Sequence, residues 1–367
     1  MAVCLGIEST AHTIGVGVCE IESASKGDGR VQGWRQGNSR ADGGGEIMVL
    51  SNARHMYASP KGEGMIPRMA ADHHAEFLMP VLQEALQQAK ITLSDVDIFA
   101  FSRGPGIGQC LRVSCAAAKF LASKYNKPIL GINHCHAHLE ISRGLLGMKD
   151  PLYVYVSGAN TQLITENRGP THSSSKKHAR TQTTNVSSSP RFLVLGETLD
   201  MGLGNLFDVF AREAAFERPH GSEVARLAEK GSYFPLPYTV KGMNFAFAGL
   251  LTSAVRSLSS HSKEDASHSL METSFAELCE AAERALCLTG KKEVVVCGGV
   301  AQNKRFCSML TQMCKPHGAI FGAVAPEYNA DNGAMIAYTA LCEWKKGKRE
   351  RMEDLKPDGY WRIDEVR

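Results

Sequence analysis

Twice along this sequence an apolar segment runs into a short turn of small, polar residues and comes straight back. Ala2–Ile7 and Thr13–Cys19 flank Glu8-Ser9-Thr10, and Leu152–Val156 and Gln162–Thr165 flank Ser157-Gly158-Ala159-Asn160. Further strand and helix signals follow each predicted hairpin, so the chain reads as two related halves of an α/β protein. In the first half Ile47–Leu50, Ile98–Phe101 and Pro128–Ile132 read as strands and Leu111–Ser123 as a helix. Ala75, Leu78, Met79, Leu82, Ala85, Leu86 and Ala89 recur at spacings of three and four, the buried stripe of an amphipathic helix. In the second half come the strand Phe192–Leu195, the helix Leu203–Phe216, the buried strand Glu293–Cys297, a helix after Asn303 and a last helix over Ala334–Trp344.

Two hairpin-led halves around a cleft describe the actin-like ATPase and sugar-kinase (ASKHA) architecture, a two-lobed fold with duplicated ribonuclease H-like halves. There the two turns face one another and hold phosphates through backbone N–H groups. The expected division places residues 1–133 and 331–367 in one lobe and 134–330 in the other. Residues 23–45 and 167–190 carry too little apolar content to pack and are predicted to be flexible, exposed inserts. No apolar run reaches the roughly 20 residues that span a bilayer. The eleven cysteines are scattered through apolar segments with no CxxC pair, as expected for reduced thiols of a cytoplasmic protein. Met1 is followed at once by a strand, so no targeting segment is expected. With 41 basic and 38 acidic residues, bulk charge does not draw a polyanion. An RNA contact would need a local patch such as Lys176–Arg180 or Lys345–Arg349, and such runs are more often plain solvated surface.

The sharpest chemical pattern is Asn133-His134-Cys135-His136-Ala137-His138, at the mouth of a strand-to-helix turn. On a helix His134 and His138 are four residues apart on one face, close enough to share a metal, while His136 points elsewhere. Ordinary capping or surface histidines would give the same letters. A zinc protease would need HExxH, but Cys135 stands at the glutamate position, and Glu140 lies about 200° further round the helix than His138. A third ligand is available in Asp331, at the start of the last helix, where it could equally be an N-cap. Tyr155, ending the first strand of the second hairpin, is a fourth candidate, and a His/His/Asp/Tyr set suits iron or zinc. Ser157–Thr161 offers consecutive backbone donors for a phosphate, and Cys297–Asn303 leaves room for an adenine or ribose. Arg103–Gly108 is a tight turn or a loop of the catalytic face; it is neither a Walker A loop nor a dinucleotide fingerprint.

These segments, in order, resemble the tRNA threonylcarbamoyltransferase family in its archaeal and eukaryotic cytosolic branch, the catalytic subunit of the KEOPS complex, formerly O-sialoglycoprotein endopeptidase. The matching stretches are Gly6–Ala11, Gly62–Arg68, Ala70–His74, Arg103–Gly106, Asn133–His138, Tyr155–Gly158, Gly196–Asp200, Pro237–Met243, Gly298–Val300 and Asp331–Ile336. The resemblance implies the two-lobed fold and one divalent metal per subunit, iron or zinc, at His134, His138 and Asp331 with Tyr155 nearby. It implies that Tyr155, Val156, Ser157, Gly158, Ala159, Asp208, Gly221 and Asn303 bind ATP or threonylcarbamoyl-adenylate. It also implies transfer of the threonylcarbamoyl group to N6 of the adenosine beside the anticodon in tRNAs reading ANN codons, with release of AMP. The implied partners are tRNA, a small atypical kinase and small adaptor subunits, in the cytoplasm and also the nucleus, with no membrane. Two positions depart from the family: Ala159 replaces a second glycine, and Ala225 replaces an acidic residue whose ribose contact Glu223 could supply only by a register shift. No general base stands out; Glu8 is the candidate. The competing readings are an actin-like-fold phosphotransferase and a non-catalytic nucleotide-binding scaffold.

Overall fold

The structure, a computed structural model, describes residues 1–21, 39–40, 46–59, 64–167 and 190–367. The first half contains β1 (Ala2–Glu8), β2 (Thr13–Ile21), β3 (Ser39–Arg40), β4 (Glu46–Met56), α1 (Pro67–Ala89), β5 (Ile98–Gly104), α2 (Gly108–Tyr125), β6 (Ile129–Asn133) and α3 (His134–Leu145). These strands form one sheet in the order β3-β4-β2-β1-β5-β6. The second half runs β7 (Leu152–Val156), β8 (Thr161–Glu166), β9 (Phe192–Glu197), α4 (Leu203–Glu213), α5 (Gly221–Ala228), β10 (Val240–Lys241), β11 (Asn244–Phe245), α6 (Phe247–Ser257) and α7 (Lys263–Thr289). It ends with β12 (Glu293–Cys297), α8 (Lys304–Cys314), β13 (Ile320–Ala323), α9 (Pro326–Asn329) and α10 (Gly333–Lys345). Its main sheet has the order β13-β12-β7-β8-β9.

Setting aside the two-residue β3, the sheets share one plan. An antiparallel hairpin (β1–β2, β7–β8) carries a third antiparallel strand on one side (β4, β9) and two parallel strands on the other (β5–β6, β12–β13). This is the duplicated, two-lobed plan expected from the paired hairpins. Within the first insert, Ser39–Arg40 pairs with β4, so that stretch is not all loop; 22–38, 41–45 and 168–189, with the patch Lys176–Arg180, lie outside the described residues.

Several elements outgrow their sequence signals. The strand expected over Ile47–Leu50 runs to Met56 because β2 pairs along its length, and α1 begins at Pro67, where the ring suits the first helical position. The helix expected to reach Phe216 stops at Glu213, since Ala215 takes a positive φ of 49°. All eleven cysteines are unpaired and most are buried. Among the described residues no helix is long and apolar enough to cross a membrane.

α10 returns to the first sheet and lies on β1 and β2, made close by glycine. A Cβ on Gly17 would sit 2.2 Å from the Ala334 nitrogen, and one on Gly333 equally close to the Gly17 nitrogen. α3 packs against α10 on one side and β12 on the other, so it belongs to the seam between the sheets. The seam is tied by Arg191, which pairs with Glu166 of β8 (2.9 Å), Glu140 of α3 (2.9 Å) and Glu343 of α10 (2.6 Å).

Candidate metal centre and nucleotide cleft

Asn133 ends β6 in extended backbone and caps α3 by accepting from the His136 N–H at 3.0 Å, so the first turn of α3 starts at His134. Its side-chain amide also donates to the Trp361 carbonyl at 3.0 Å, which fixes the cap from the far end of the chain. His134 and His138 then lie on one face, edge to face, with ring centroids 4.7 Å apart. All three histidines of the motif are buried, not surface groups, and His136 turns away to Glu140 at 3.3 Å.

Asp331 closes the face. Its Oδ1 lies 3.2 Å from His138 Nε2 and 3.5 Å from His134 Nε2, and ligand atoms of the three residues all fall within 4.8 Å of one another. The choice between cap and ligand resolves locally: the neighbouring Asn332 caps α10 by accepting from Met335 N–H at 2.9 Å, leaving Asp331 to face the histidines. Tyr155 is buried beside His138, ring centroids 5.6 Å apart.

Both hairpin turns reach this spot. From the first, Glu8 Oε2 meets His134 Nδ1 at 3.1 Å, while Oε1 accepts from the Thr10 N–H (2.6 Å) and hydroxyl (2.5 Å). The Thr10 hydroxyl in turn lies 3.2 Å from His134 Nδ1. Glu8 is fully buried with both oxygens engaged, a geometry suited to orienting an imidazole rather than collecting a proton from solvent-borne substrate. From the second turn, Asn160 Nδ2 lies 3.8 Å from Cys135 Sγ.

The charges are interdependent. Burial opposes a proton on His134, but the Glu8 and Asp331 carboxylates outweigh it and raise the group to about 9. Burial would lift Asp331, yet His134 and His138 hold it well below the usual carboxylate range. Burial pushes His138 down, so it stays neutral with a lone pair to give. It also pushes the Tyr155 phenol well up. A buried carboxylate and a half-buried one thus require a cation between them, and in the metal-free chain a proton on His134 supplies it. The donor set of two imidazoles and a carboxylate, converging and demanding positive charge, fits a divalent metal.

The second turn is cradled by α4. Gly204 N–H donates to the Ser157 carbonyl and Asn205 N–H to that of Gly158, both at 3.1 Å. Ser157 N–H is spent on the Asn160 carbonyl and Asn160 N–H on Ser157 Oγ, so Gly158 and Ala159 hold the donors left without a partner among the described residues. The consecutive donors read from sequence thus shrink to two. Gly298, at φ 95°, brings the end of β12 against this turn; a Cβ there would meet the Val156 oxygen at 2.4 Å. Asn303 caps α8 by accepting from the Phe306 N–H at 3.1 Å. Asp208 lies on α4 and accepts from the Gly221 N–H at 2.7 Å, joining the two residues at the start of α5. Glu223 pairs with Arg226 at 2.6 and 3.0 Å, and Ala225 packs against the apolar core of the second half.

Comparison with known proteins gives the family. The family model for tRNA N6-adenosine threonylcarbamoyltransferase matches residues 48–177 and 178–338. A tRNA N6-adenosine threonylcarbamoyltransferase of Thermofilum pendens is 42% identical over 365 residues, covering 99% of this chain and 95% of its own. A probable bifunctional tRNA threonylcarbamoyladenosine biosynthesis protein of Methanothermobacter thermautotrophicus is 40% identical over 365 residues, 99% of this chain and 60% of its own. Among solved structures, HypF of T. kodakarensis superimposes with a TM-score of 0.58 at 12% identity, over 96% of this chain and 49% of that one, a likeness of fold.

Proposed function

The chain belongs to the tRNA N6-adenosine threonylcarbamoyltransferase family, and from that premise we propose how its residues carry the transfer. Its activity is the modification of tRNA at an adenosine N6, which sets aside both the phosphotransferase and the scaffold readings. We take threonylcarbamoyl-adenylate as the donor and the adenosine beside the anticodon in ANN-reading tRNAs as the acceptor, with AMP leaving. The observation that supports this most is the convergence of both hairpin turns and Asp331 on the first turn of α3.

His134, His138 and Asp331, with Tyr155 beside them, are the residues that would hold a divalent cation, iron or zinc. When bound, it would supply Lewis-acid polarisation of the carbamoyl carbonyl. That matters because the exocyclic amine of an adenine is a weak nucleophile. Glu8 acts as a positioning residue: it accepts from His134 Nδ1–H and so turns Nε2 towards Asp331. The free N–H groups of Gly158 and Ala159 take the adenylate phosphate and ease departure of AMP. Tyr155, Val156 and Ser157 form the approach to that turn, and Asp208, Gly221 and Asn303 flank the nucleoside.

The lobes are taken as 1–133 with 331–367, and 134–330. The partners beyond tRNA are the small atypical kinase and small adaptor subunits of a KEOPS assembly, working in the cytoplasm and nucleus. The two-function name of the Methanothermobacter relative supports such a second component. The test is reconstitution: the metal-loaded chain is given unmodified tRNA and threonylcarbamoyl-adenylate. Modified nucleoside and AMP should appear in equal amounts; AMP without modified nucleoside would contradict the transfer.

A further inference from the structure

The loop Arg103–Gly108, ambiguous in sequence, forms one wall of an open cavity of 680 Å³ whose other wall is the segment 356–360. The walls are stitched together. Gly106 N–H donates to the Gly359 carbonyl (3.2 Å), Asp358 N–H to the Arg103 carbonyl (2.8 Å), and Arg103 Nε to the Lys356 carbonyl (2.9 Å). The Arg103 guanidinium also lies over the Trp361 ring, 5.0 Å from its centre. This hydrogen-bonded frame presents three exposed residues: Arg112, Lys356 and Tyr360, the last 92% exposed.

The chemistry of the lining is one-sided. No carboxylate lines the cavity, and Arg112 and Lys356 have no ion-pair partner among the described residues. The nearby Asp358 is half-buried and does not line the cavity; it accepts from the Tyr360 N–H at 3.0 Å. Two unpaired cations beside an exposed aromatic suit a polyanion with stackable bases better than an acidic peptide, which offers no flat face to the ring. The position adds the decisive point. Ile107 N–H donates to the Thr10 carbonyl at 2.8 Å, and Thr10 itself touches His134, so a single layer of residues separates the cavity from the candidate metal centre.

We propose that this cavity docks the anticodon loop of the tRNA substrate next to the target adenosine, with Arg112 and Lys356 on backbone phosphates and Tyr360 stacked on a neighbouring base. The proposal rests on the transferase reading. It accounts for RNA recognition by a chain whose overall charge is nearly balanced, without the two Lys/Arg runs.

The test uses the full metal-loaded wild-type chain and three variants: Arg112→Ala with Lys356→Ala combined, Tyr360→Ala and Tyr360→Phe. Binding of unmodified tRNA is measured across salt concentrations, binding of ATP alongside, and transfer is followed with threonylcarbamoyl-adenylate. The double variant should lose about 1.4 from the slope of log affinity against log salt, about 0.7 per phosphate contact. Tyr360→Ala should weaken tRNA binding about tenfold or more, and Tyr360→Phe should restore it because stacking needs the ring and not the hydroxyl. KM for tRNA should rise with kcat held, and ATP affinity should not change. Unchanged tRNA affinity and salt slope would overturn the docking proposal alone, provided the wild type modifies tRNA. Loss of ATP affinity in parallel would assign the cavity to the nucleotide and overturn it too. A wild type that binds the adenylate yet leaves tRNA unmodified would overturn the transferase reading together with the proposal.

Discussion

At the scale of single residues the site is governed by the proton on His134. Its folded value, about 9, lies above the ordinary 6.5, so the stabilisation it gives the metal-free chain is fully present below about pH 6.5. That contribution is lost as pH rises through 9. Thermal unfolding of metal-free protein should therefore show a falling Tm between pH 7 and 9.5. A bound cation must displace the same proton, so affinity for zinc should rise about tenfold per pH unit until the group is deprotonated, with release of one proton per metal. Isothermal titration in buffers of different ionisation heat measures that release; none at pH 7 would contradict the ligand role of His134. Glu8→Gln keeps the shape but removes the charge and should cut metal affinity about 10- to 100-fold, read by competition with a chelator. The histidine pair was legible in sequence because helical spacing is local. The Glu8–His134 contact was not, since 126 positions separate the two and only the sheet brings them together. The preference of Asp331 for the histidines was equally hidden, because Asp331 and Asn332 are both good caps on paper.

Among the elements, α10 is the one whose seating decides where Asp331 stands. Gly6, Gly15 and Gly17 on the hairpin let its backbone touch the sheet, and the nearest atoms to an added Cβ are backbone atoms that cannot swing aside. Gly17→Ala should cost about 1–3 kcal/mol of stability in chemical denaturation and also weaken metal binding by displacing Asp331. Stability lost with metal affinity intact would detach Asp331 from the seating of α10. The alternation Gly15-Val16-Gly17 within a strand was the available signal for such a close approach. The hairpins, α1, α3 and α10 were readable from period and turn chemistry. α5, α6 and α7 were missed. α7 buries residues around most of its circumference, many of them Ala or Ser, so no apolar stripe stands out, and its opening Lys-Glu-Asp-Ala-Ser-His-Ser reads as loop.

For the whole molecule, the repeated strand order explains why one site forms where two halves meet. Each hairpin ends in a turn, the turns converge on α3, and the segment leading into the last helix brings Asp331 to the two histidines. The duplication was legible from two turns alone, but its consequence, a centre assembled from residues 8, 134, 138, 155 and 331, needed the sheets to be paired in register. The segment 356–366 strengthens this seam through Trp361 on Asn133 and Val366 on Arg191, contacts that no periodicity announces. The most direct test of the account is the yield of threonylcarbamoyladenosine in tRNA incubated with threonylcarbamoyl-adenylate and either wild type or the His134→Ala/His138→Ala variant. Metal content and circular dichroism are recorded on the same samples. The account predicts a metal-free, folded variant whose yield falls to background; a folded, metal-free variant that modifies tRNA as well as the wild type would contradict it.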